Sequence, residues 1–211
     1  MNPKEVRTDK VAEKILKSLE ARRFEAYYCK TTEEAIEKAL SLIPEGNSVG
    51  WGGSDTIRAM GLVKAVYDAG KYTIIDRDTA KDMQERDEMH RQTLTCDTFL
   101  ASANALSEDG QLVNVDGNGN RIAAISFGPK SVIFIIGINK VVKTHEDAVA
   151  RARTIAAPIN TQRFGNVQPC FVEGSCADCV STTSCTYVHT TRASAPPKRI
   201  KIILVGENLG Y

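Results

Sequence analysis

Four of the six cysteines in this 211-residue chain fall in one short stretch near its carboxyl end. They are Cys170, Cys176, Cys179 and Cys185, and they are spaced C-x5-C-x2-C-x5-C. Four thiolates at such spacing satisfy either tetrahedral zinc or an iron–sulfur cluster. The five-residue outer gaps are longer than in common zinc ribbons, which favours a [4Fe–4S] cluster with zinc as the alternative. A redox dithiol at Cys176 and Cys179, or four unligated thiols, also stays open.

A glycine-rich loop is the second candidate site. Residues 49–56 read VGWGGSDT and lie between a predicted strand and a predicted helix. Glycines allow close backbone approach to a ligand, and N–H groups at a helix start favour negative charge. We therefore expect a carboxylate or phosphate at Gly52, Gly53, Ser54 and Thr56, with a tight turn lacking a ligand as the alternative. The loop has neither the P-loop ending nor the full dinucleotide fingerprint.

Two other strand ends carry polar groups that could complete the anion site. Asn104 follows one apolar run, and Asn139 and Lys140 follow another. Ligands of open α/β sheets bind beyond the carboxyl ends of the strands. No acid–base or nucleophile constellation stands out, so the catalytic residues are unassigned. His90 lies in a charged segment and is expected to be exposed.

The elements that must position these groups alternate between strand and helix in the first half. Helices are predicted over residues 6–23, 31–43, 55–69 and 79–91, and strands over 25–29, 48–51 and 72–76. A capping box is predicted at Thr31 and Glu34. This alternation predicts an α/β fold with a mostly parallel sheet flanked by helices.

The second half changes character after a strand predicted over residues 98–103. Asp-Gly and Asn-Gly pairs separate short runs at 111–115 and 121–127, which predicts an inserted antiparallel meander. A fully apolar strand follows at 131–138, then a helix over 145–157 that Pro158 should end. A final strand, predicted over 198–206, is expected to be parallel.

Composition narrows the function classes. The chain is 42% hydrophobic and 25% charged with a formal net charge of +1, which disfavours nucleic acid as a partner. Its longest apolar run is too short to span a bilayer, and its charged amino terminus does not resemble a signal peptide. We therefore expect a cytoplasmic protein without a membrane partner, in a compartment that disfavours disulfides.

Several stretches together resemble the LUD domain (lactate-utilisation) family, formerly called DUF162. They are GWGGSDT at 50–56, ASANALSEDGQLVNVDGNGNRIAA at 101–124, FGPK at 127–130, GINK at 137–140, and RAR with AAPIN at 151–160. The resemblance runs from about residue 7 to residue 210. It implies a single LUD domain over residues 1–211 that contains a cysteine-rich loop at 170–185. The chain is similar to a short, stand-alone branch that carries the four-cysteine motif, which the better-known lactate-utilisation C proteins lack.

The resemblance also implies a fold and a set of partners. The fold would be similar to the group of ribose-5-phosphate isomerase, glucosamine-phosphate deaminase and CoA-transferase, and the family suggests a homo-oligomer. A link to lactate oxidation beside iron–sulfur and flavin-type proteins is implied. The isomerases use an acidic residue where this chain has Asn104, and an amide cannot act as a general base. CoA transfer would need a nucleophilic carboxylate, for which Glu108 is the nearby candidate.

Three functions fit these observations. We favour an oxidoreductase component that binds a small carboxylate or phosphate and passes electrons through a cluster to a redox partner protein. One alternative is a non-catalytic, anion-binding accessory subunit, which would be stabilised by its ligand without turnover. The other is a transferase-like or isomerase-like enzyme with structural zinc, which would be colourless. Whether the chain is an enzyme is left open.

Overall fold

Ten strands and nine α-helices occupy the part of the chain that the computed structural model describes, residues 2–164 and 167–211. The strands are β1 (Glu25–Cys29), β2 (Ser48–Trp51), β3 (Thr73–Ile75), β4 (Thr98–Ala101), β5 (Ala105–Ser107), β6 (Leu112–Asp116), β7 (Ser131–Gly137), β8 (Val141–Val142), β9 (Tyr187–Thr191) and β10 (Ile200–Val205). The α-helices are α1 (Pro3–Ala21), α2 (Thr32–Ser41), α3 (Asp55–Ala59), α4 (Leu62–Ala69), α5 (Met83–Gln92), α6 (Asn120–Ser126), α7 (His145–Arg151), α8 (Ala157–Thr161) and α9 (Pro169–Glu173). A π-helical segment, Ala152–Ala156, joins α7 to α8.

The main sheet has six strands in the order β1-β10-β7-β4-β2-β3, and every neighbouring pair is parallel. This confirms the predicted α/β class and the parallel final strand. The central strand β7 is the apolar run SVIFIIG, and all but its first residue are buried. Such a run has no polar face because helices cover both sides of a parallel sheet.

Two hydrophobic cores form on opposite faces of this sheet. In β7, Phe134 belongs to the core beneath α1 and α6, whereas Ile133 and Ile135 belong to the core beneath α2, α3 and α4. Successive residues of a strand point to opposite faces, so one apolar run supplies both cores. On α1, Ile15 and Leu19 lie one helical turn apart and are fully buried in the first core.

A second sheet of four strands, in the order β8-β5-β6-β9, is attached beyond β4 and β7. Its β5–β6 and β6–β9 pairs are antiparallel, and its β5–β8 pair is parallel. One face packs on α7 and the π-helical segment through a small alanine-rich core that includes Ala148 and Ala152. The predicted meander is therefore a mixed sheet, and β9 comes from the segment after the cysteines.

The strand predicted over residues 121–127 is wrong, because this segment forms helix α6. The Asp116 carboxylate accepts hydrogen bonds from the backbone N–H groups of Asn118 and Gly119, which turns the chain out of β6. Gly119 then adopts a positive φ of 81° as the residue before the helix. The glycine-rich stretch therefore makes a strand-to-helix connection, and the hairpin rule does not apply to it.

Three further details differ from the sequence-based expectations. Gly61, with φ 87°, divides the helix expected over residues 55–69 into α3 and α4. Pro158 does not end the helical run, because it occupies the first turn of α8, after the π-helical segment. Thr31 caps α2 as predicted, but the Glu34 carboxylate accepts from the backbone of Lys30, so the capping box is incomplete. No helix among the described residues is long and apolar enough to cross a membrane.

Candidate functional site

A cavity of about 630 Å³ opens at the carboxyl ends of three neighbouring strands of the main sheet. Residues just after β2, β4 and β7 line it, including Ser54, Ser102 and Lys140. The second sheet and α8 provide the opposite wall through residues such as Val115 and Thr161. This is the edge where ligands of parallel α/β sheets bind. We refer to the cavity as the main cleft.

The main cleft is strongly cationic. Its acidic lining residues are Asp55, Asp78 and Asp116. Twice as many cationic residues line it, namely Arg58, Arg77, Arg86, Arg121, Lys140 and Arg163. The chain as a whole is nearly neutral, so this charge is concentrated locally. A concave, low-dielectric wall of one sign attracts ions of the opposite sign.

Lys140 lies on the floor of this cleft. The residue is only 2% exposed. Its Nζ donates hydrogen bonds to Thr56 Oγ1 at 2.7 Å and to Ser102 Oγ at 3.1 Å. No carboxylate pairs with it among the described residues. Burial, followed by the charges of Arg151 and Arg121, lowers the pKa of Lys140 to about 7. The protein alone thus compensates a positive charge on Lys140 poorly, which favours the neutral amine in the absence of a ligand.

Arg121 connects the walls of the cleft. It projects from the first turn of α6 and donates to the backbone carbonyls of Gly53 and Val115. Its Nε lies 3.6 Å from the Asp116 carboxylate, whose side chain is 9% exposed. Burial lowers the pKa of Arg121, with Asp116 acting in the opposite direction. The guanidinium thereby holds the glycine loop, β6 and α6 in fixed relative positions.

The glycine loop enters the cleft, but side chains supply most of its positive charge. Ser54 Oγ accepts from the backbone N–H of Ile57 and caps α3, a helix of only five residues. A Cβ atom on Gly53 would lie 2.7 Å from Nη2 of Arg77, so a larger residue there would force the guanidinium to shift. Thr56 supplies a hydroxyl to Lys140. The loop therefore brings backbone close to two arginines and one lysine.

The structure gathers most of the predicted anion-binding residues at this one cleft. Gly53, Ser54, Thr56, Asn104 and Lys140 all line it. The Asn104 side-chain carbonyl accepts from the backbone N–H of Val115 at 2.9 Å and faces the Arg121 guanidinium.

Two of the predicted residues do not line the cleft. Gly52 is not among the lining residues, and a Cβ added to it would contact the aliphatic part of Arg121. Asn139 bonds the segment near the carboxyl end instead, accepting from the Leu209 N–H and donating to the Gly210 carbonyl. Asn139 thereby holds Tyr211, which does line the cleft.

Two acid–base candidates do not line the cleft. His90 is buried, contrary to expectation, between Arg77 and the side chain of Asn120. Burial and then Arg77 lower the pKa of His90, so the imidazole is neutral near neutral pH. Glu108 does not line the cleft and is held between Lys14 and Lys143, which lower its pKa. A nucleophilic role for Glu108 in the cleft is thus incompatible with its location.

All four clustered cysteines line a second cavity of about 490 Å³, which we refer to as the cysteine cavity. Cys170 is buried on α9, and its Sγ lies 3.6 Å from Thr161 Oγ1. Burial first, and then the neighbouring cysteines, raise the pKa of the Cys185 thiol. Mutual repulsion of thiolates is the situation that a bound cation relieves.

The two cavities share a wall. Ala157, Thr161, Ser184 and Cys185 line both of them. Gln168 links the two sides of the cysteine segment by donating to Ser184 Oγ at 2.9 Å. Any group held by the cysteines therefore lies next to any ligand of the main cleft.

The donor chemistry of the cysteine cavity fits a thiophilic metal or cluster, since four sulfur atoms face one space. Within residues 2–164 and 167–211, however, no three His, Cys, Asp or Glu side chains are arranged closely enough to hold a metal ion. Metal binding would therefore require the cysteine side chains to lie closer together than they do here.

The cleft-lining residues that sequence reasoning missed include Arg77, Arg121 and Arg163. Arg121 was assigned to a strand, and Arg77 and Arg163 carried no recognisable motif. One signal was available for Arg121, because it is a charged residue at the start of an otherwise apolar run, directly after a glycine-rich turn. A charge beside an apolar run can be buried together with that run, and a buried charge needs a partner.

Fold and site together define an α/β protein with a cationic cleft at the carboxyl edge of a parallel sheet. The LUD domain model matches residues 12–205, so the chain belongs to the LUD domain family, and its domain is of the lactate-utilisation type. A comparison with curated proteins finds no match.

Among the solved structures that are similar to this chain, a member of the DUF162 family shows the same fold. A DUF162 family protein from Deinococcus radiodurans superposes with a TM-score of 0.55 at 12% identity, covering 94% of this chain and 98% of that one. Ribose 5-phosphate isomerase A from Neisseria gonorrhoeae matches with a TM-score of 0.35 at 16% identity, over 55% of this chain and 56% of its own. The Plasmodium falciparum ribose 5-phosphate isomerase matches with a TM-score of 0.34 at 12% identity, over 53% and 52% of the two chains.

Proposed function

We propose that this protein is an oxidoreductase component of lactate-utilisation type, whose main cleft binds a small carboxylate or phosphate. The observation that carries the proposal is Lys140, which is buried beside Arg121 and Arg151 and has no carboxylate partner within residues 2–164 and 167–211. Burying a cation is costly unless an opposite charge compensates it. An anionic ligand would supply that charge and would accept hydrogen bonds from the hydroxyl-bearing floor of the cleft.

Sulfate is the sharpest probe of the anion site, because it keeps two negative charges across the neutral pH range whereas phosphate titrates. An anion favours the protonated form of Lys140, so binding should take up a proton wherever the free amine is neutral. We expect the affinity for sulfate to be highest below about pH 7 and to fall by about tenfold per pH unit above it. Isothermal titration calorimetry in buffers of different ionisation enthalpy measures both the affinity and the proton uptake.

Lys143→Gln is the matched control for this measurement. Lys143 is an exposed lysine three residues away that pairs with Glu108, outside the cleft. Its replacement should leave sulfate binding unchanged. Absence of sulfate binding, or an affinity that does not vary from about pH 6 to about pH 9, contradicts the proposed anion site.

The proposal further assigns the four cysteines to a [4Fe–4S] cluster, with zinc as the alternative. Cys170, Cys176, Cys179 and Cys185 would hold it, and a cluster would supply one-electron transfer beside the cleft. A redox partner protein follows from that role. The shared wall at Thr161 and Cys185 supports this assignment, because electron transfer requires the two groups to be close.

Protein purified without oxygen should contain iron and sulfide and absorb near about 400 nm. The double variant Cys176→Ser/Cys179→Ser should lose this absorbance and the metal. The control variant Cys29→Ala should keep both, because Cys29 is buried in the core and lies far from the cysteine segment in the sequence. Elemental analysis gives the metal content. Zinc alone, without colour, would make the cysteine segment structural and favour the transferase-like alternative. Absence of any metal overturns the cofactor assignment.

A further inference from the structure

The surroundings of Lys140 differ from those of a lysine that serves only as a fixed positive charge. The residue lies in the single turn Ile138–Lys140 directly after β7, which places its side chain at the centre of the parallel sheet's carboxyl edge. The Nζ atom contacts two hydroxyls, from Thr56 and Ser102. All three residues line the main cleft, so the amine faces the ligand space.

Hydrogen-bond accounting distinguishes the two protonation states of this amine. An ammonium group has three N–H donors, and Thr56 and Ser102 accept only two of them. A neutral amine has two donors and one lone pair, so both donors are used and the lone pair is left free. The hydroxyl cradle therefore suits a neutral amine in the empty cleft, and a free lone pair is what a nucleophile needs.

The charged groups around Lys140 favour the same state. Arg151 and Arg121 disfavour a third positive charge, while Asp55 acts weakly in the opposite direction. By contrast, the nearby exposed Lys143 has its pKa raised by Glu108 and stays protonated. Two lysines close in sequence thus have opposite reactivity.

We infer that Lys140 is a nucleophilic amine that forms an imine with an aldehyde or ketone bearing a carboxylate or phosphate. The inference rests on the proposed anion site, since Arg121 and the glycine loop would hold the charged end of the ligand against the amine. It narrows the ligand class to oxyanions that also carry a carbonyl group, such as 2-oxo acids.

The chemistry balances without a redox step. The lone pair of Nζ attacks the carbonyl carbon, a C–N bond forms, and the C=O π-bond breaks to give a carbinolamine after proton transfer from nitrogen to oxygen. The hydroxyls of Thr56 and Ser102 contact Nζ and are placed to relay that proton. Loss of the hydroxyl with one added proton releases water and leaves a protonated imine. The net change is amine plus carbonyl plus a proton giving iminium plus water.

Reductive trapping tests this inference on the full-length protein. Glyoxylate, an aldehyde with a carboxylate, is added with cyanoborohydride near about pH 7.5, and the labelled lysines are mapped by peptide mass spectrometry. We expect Lys140 to be labelled about tenfold faster than Lys143, because its neutral fraction is far larger. Sulfate should protect Lys140. Propanal, which lacks the carboxylate, should label it less than glyoxylate does.

Two variants control for general lysine reactivity and for folding. Lys140→Arg keeps the positive charge but removes the primary amine, so the dominant label should disappear. Lys143→Arg makes the same substitution at an exposed lysine. In this variant Lys140 should be labelled as fast as it is in the unchanged protein. Circular dichroism of both variants is the control for folding.

The outcomes separate this inference from the proposed function. Sulfate binding by calorimetry without preferential labelling of Lys140 overturns the nucleophile and leaves the anion site intact. Labelling of Lys140 that sulfate does not reduce, and that propanal matches, overturns the oxyanion class of ligand. Absence of both sulfate binding and Lys140 labelling overturns the anion site and the nucleophile together.

Discussion

Replacing Lys140 with methionine is expected to stabilise the protein near neutral pH while removing its affinity for sulfate. A pKa lowered from 10.5 to about 7 places a ceiling of about 4 kcal/mol on the gain at about pH 7, at roughly 1.4 kcal/mol per unit. The hydroxyls of Thr56 and Ser102 lose a partner, which costs about 1–3 kcal/mol. The first effect outweighs the second, so we expect a net gain of about 2 kcal/mol.

The pH dependence gives this prediction its sign. The folded-state pKa of Lys140 lies below its unfolded value, so the unfolded chain binds more protons between about pH 7 and about pH 10. Lys140 therefore makes the free energy of unfolding of the unchanged protein rise with pH across that window. The Lys140→Met variant lacks this pH-dependent contribution. The difference in free energy of unfolding that favours the variant should therefore shrink as pH increases.

Urea denaturation of both proteins near about pH 7 and about pH 9 measures the difference. Lys64→Met is the control, because Lys64 is exposed and its pair with Asp68 lies on the surface of α4. That substitution should change the free energy of unfolding by less than about 0.5 kcal/mol. A Lys140→Met variant that is less stable than the unchanged protein near neutral pH contradicts the account of Lys140 as an uncompensated buried cation.

Replacing Gly128 with alanine is expected to lower the free energy of unfolding by about 4 kcal/mol, combining backbone strain with overpacking. Gly128 has φ 121°, which side-chain-bearing residues rarely adopt, and a Cβ there would lie 2.3 Å from the backbone oxygen of Leu94. That oxygen belongs to the single turn Thr93–Thr95 just before β4, so it cannot move without shifting the strand. Gly128 also precedes β7, so both central strands are affected.

Gly70→Ala separates the two causes of this loss. Gly70 also has a positive φ, 61°, but no atom lies within 4 Å of the position of an added Cβ. Only the conformational cost applies there, about 1 kcal/mol. Chemical denaturation of both variants gives the comparison. Equal losses for the two substitutions would show that the contact with Leu94 is not what requires glycine at 128.

Local patterns in the sequence were sufficient for the main sheet. The run SVIFIIG is apolar without alternation, which only a strand covered on both faces accommodates, and it is the central strand β7. Cys29 ends a strand and Thr31 caps the following helix, as read from the chain. These signals succeed because they depend on neighbours within one or two turns.

Other features depend on partners far along the chain, and local patterns misjudged them. The glycine-rich stretch before Arg121 looks like a hairpin, but α6 forms because Ala124 and Ile125 pack into the core beneath the main sheet. Pro158 looks like a helix end, but it lies in the first turn of α8, where a backbone donor is not needed, after the π-helical segment. At α6 tertiary packing outweighs the local propensity, whereas at Pro158 the position within the helical turn decides the outcome.

The candidate site shows the same division. The sequence by itself placed a glycine loop, Asn104 and Lys140 at the ends of strands, and parallel topology then required these ends to meet at one edge. It also predicted that four cysteines bind a metal or cluster; this stays a prediction, and the four residues line one cavity. Only the tertiary structure decided that Arg121, Arg77 and Arg163 join the loop, that Asn139 does not, and that the two cavities share a wall. Side-chain direction and long-range packing determine these contacts, and neither is encoded in residue spacing.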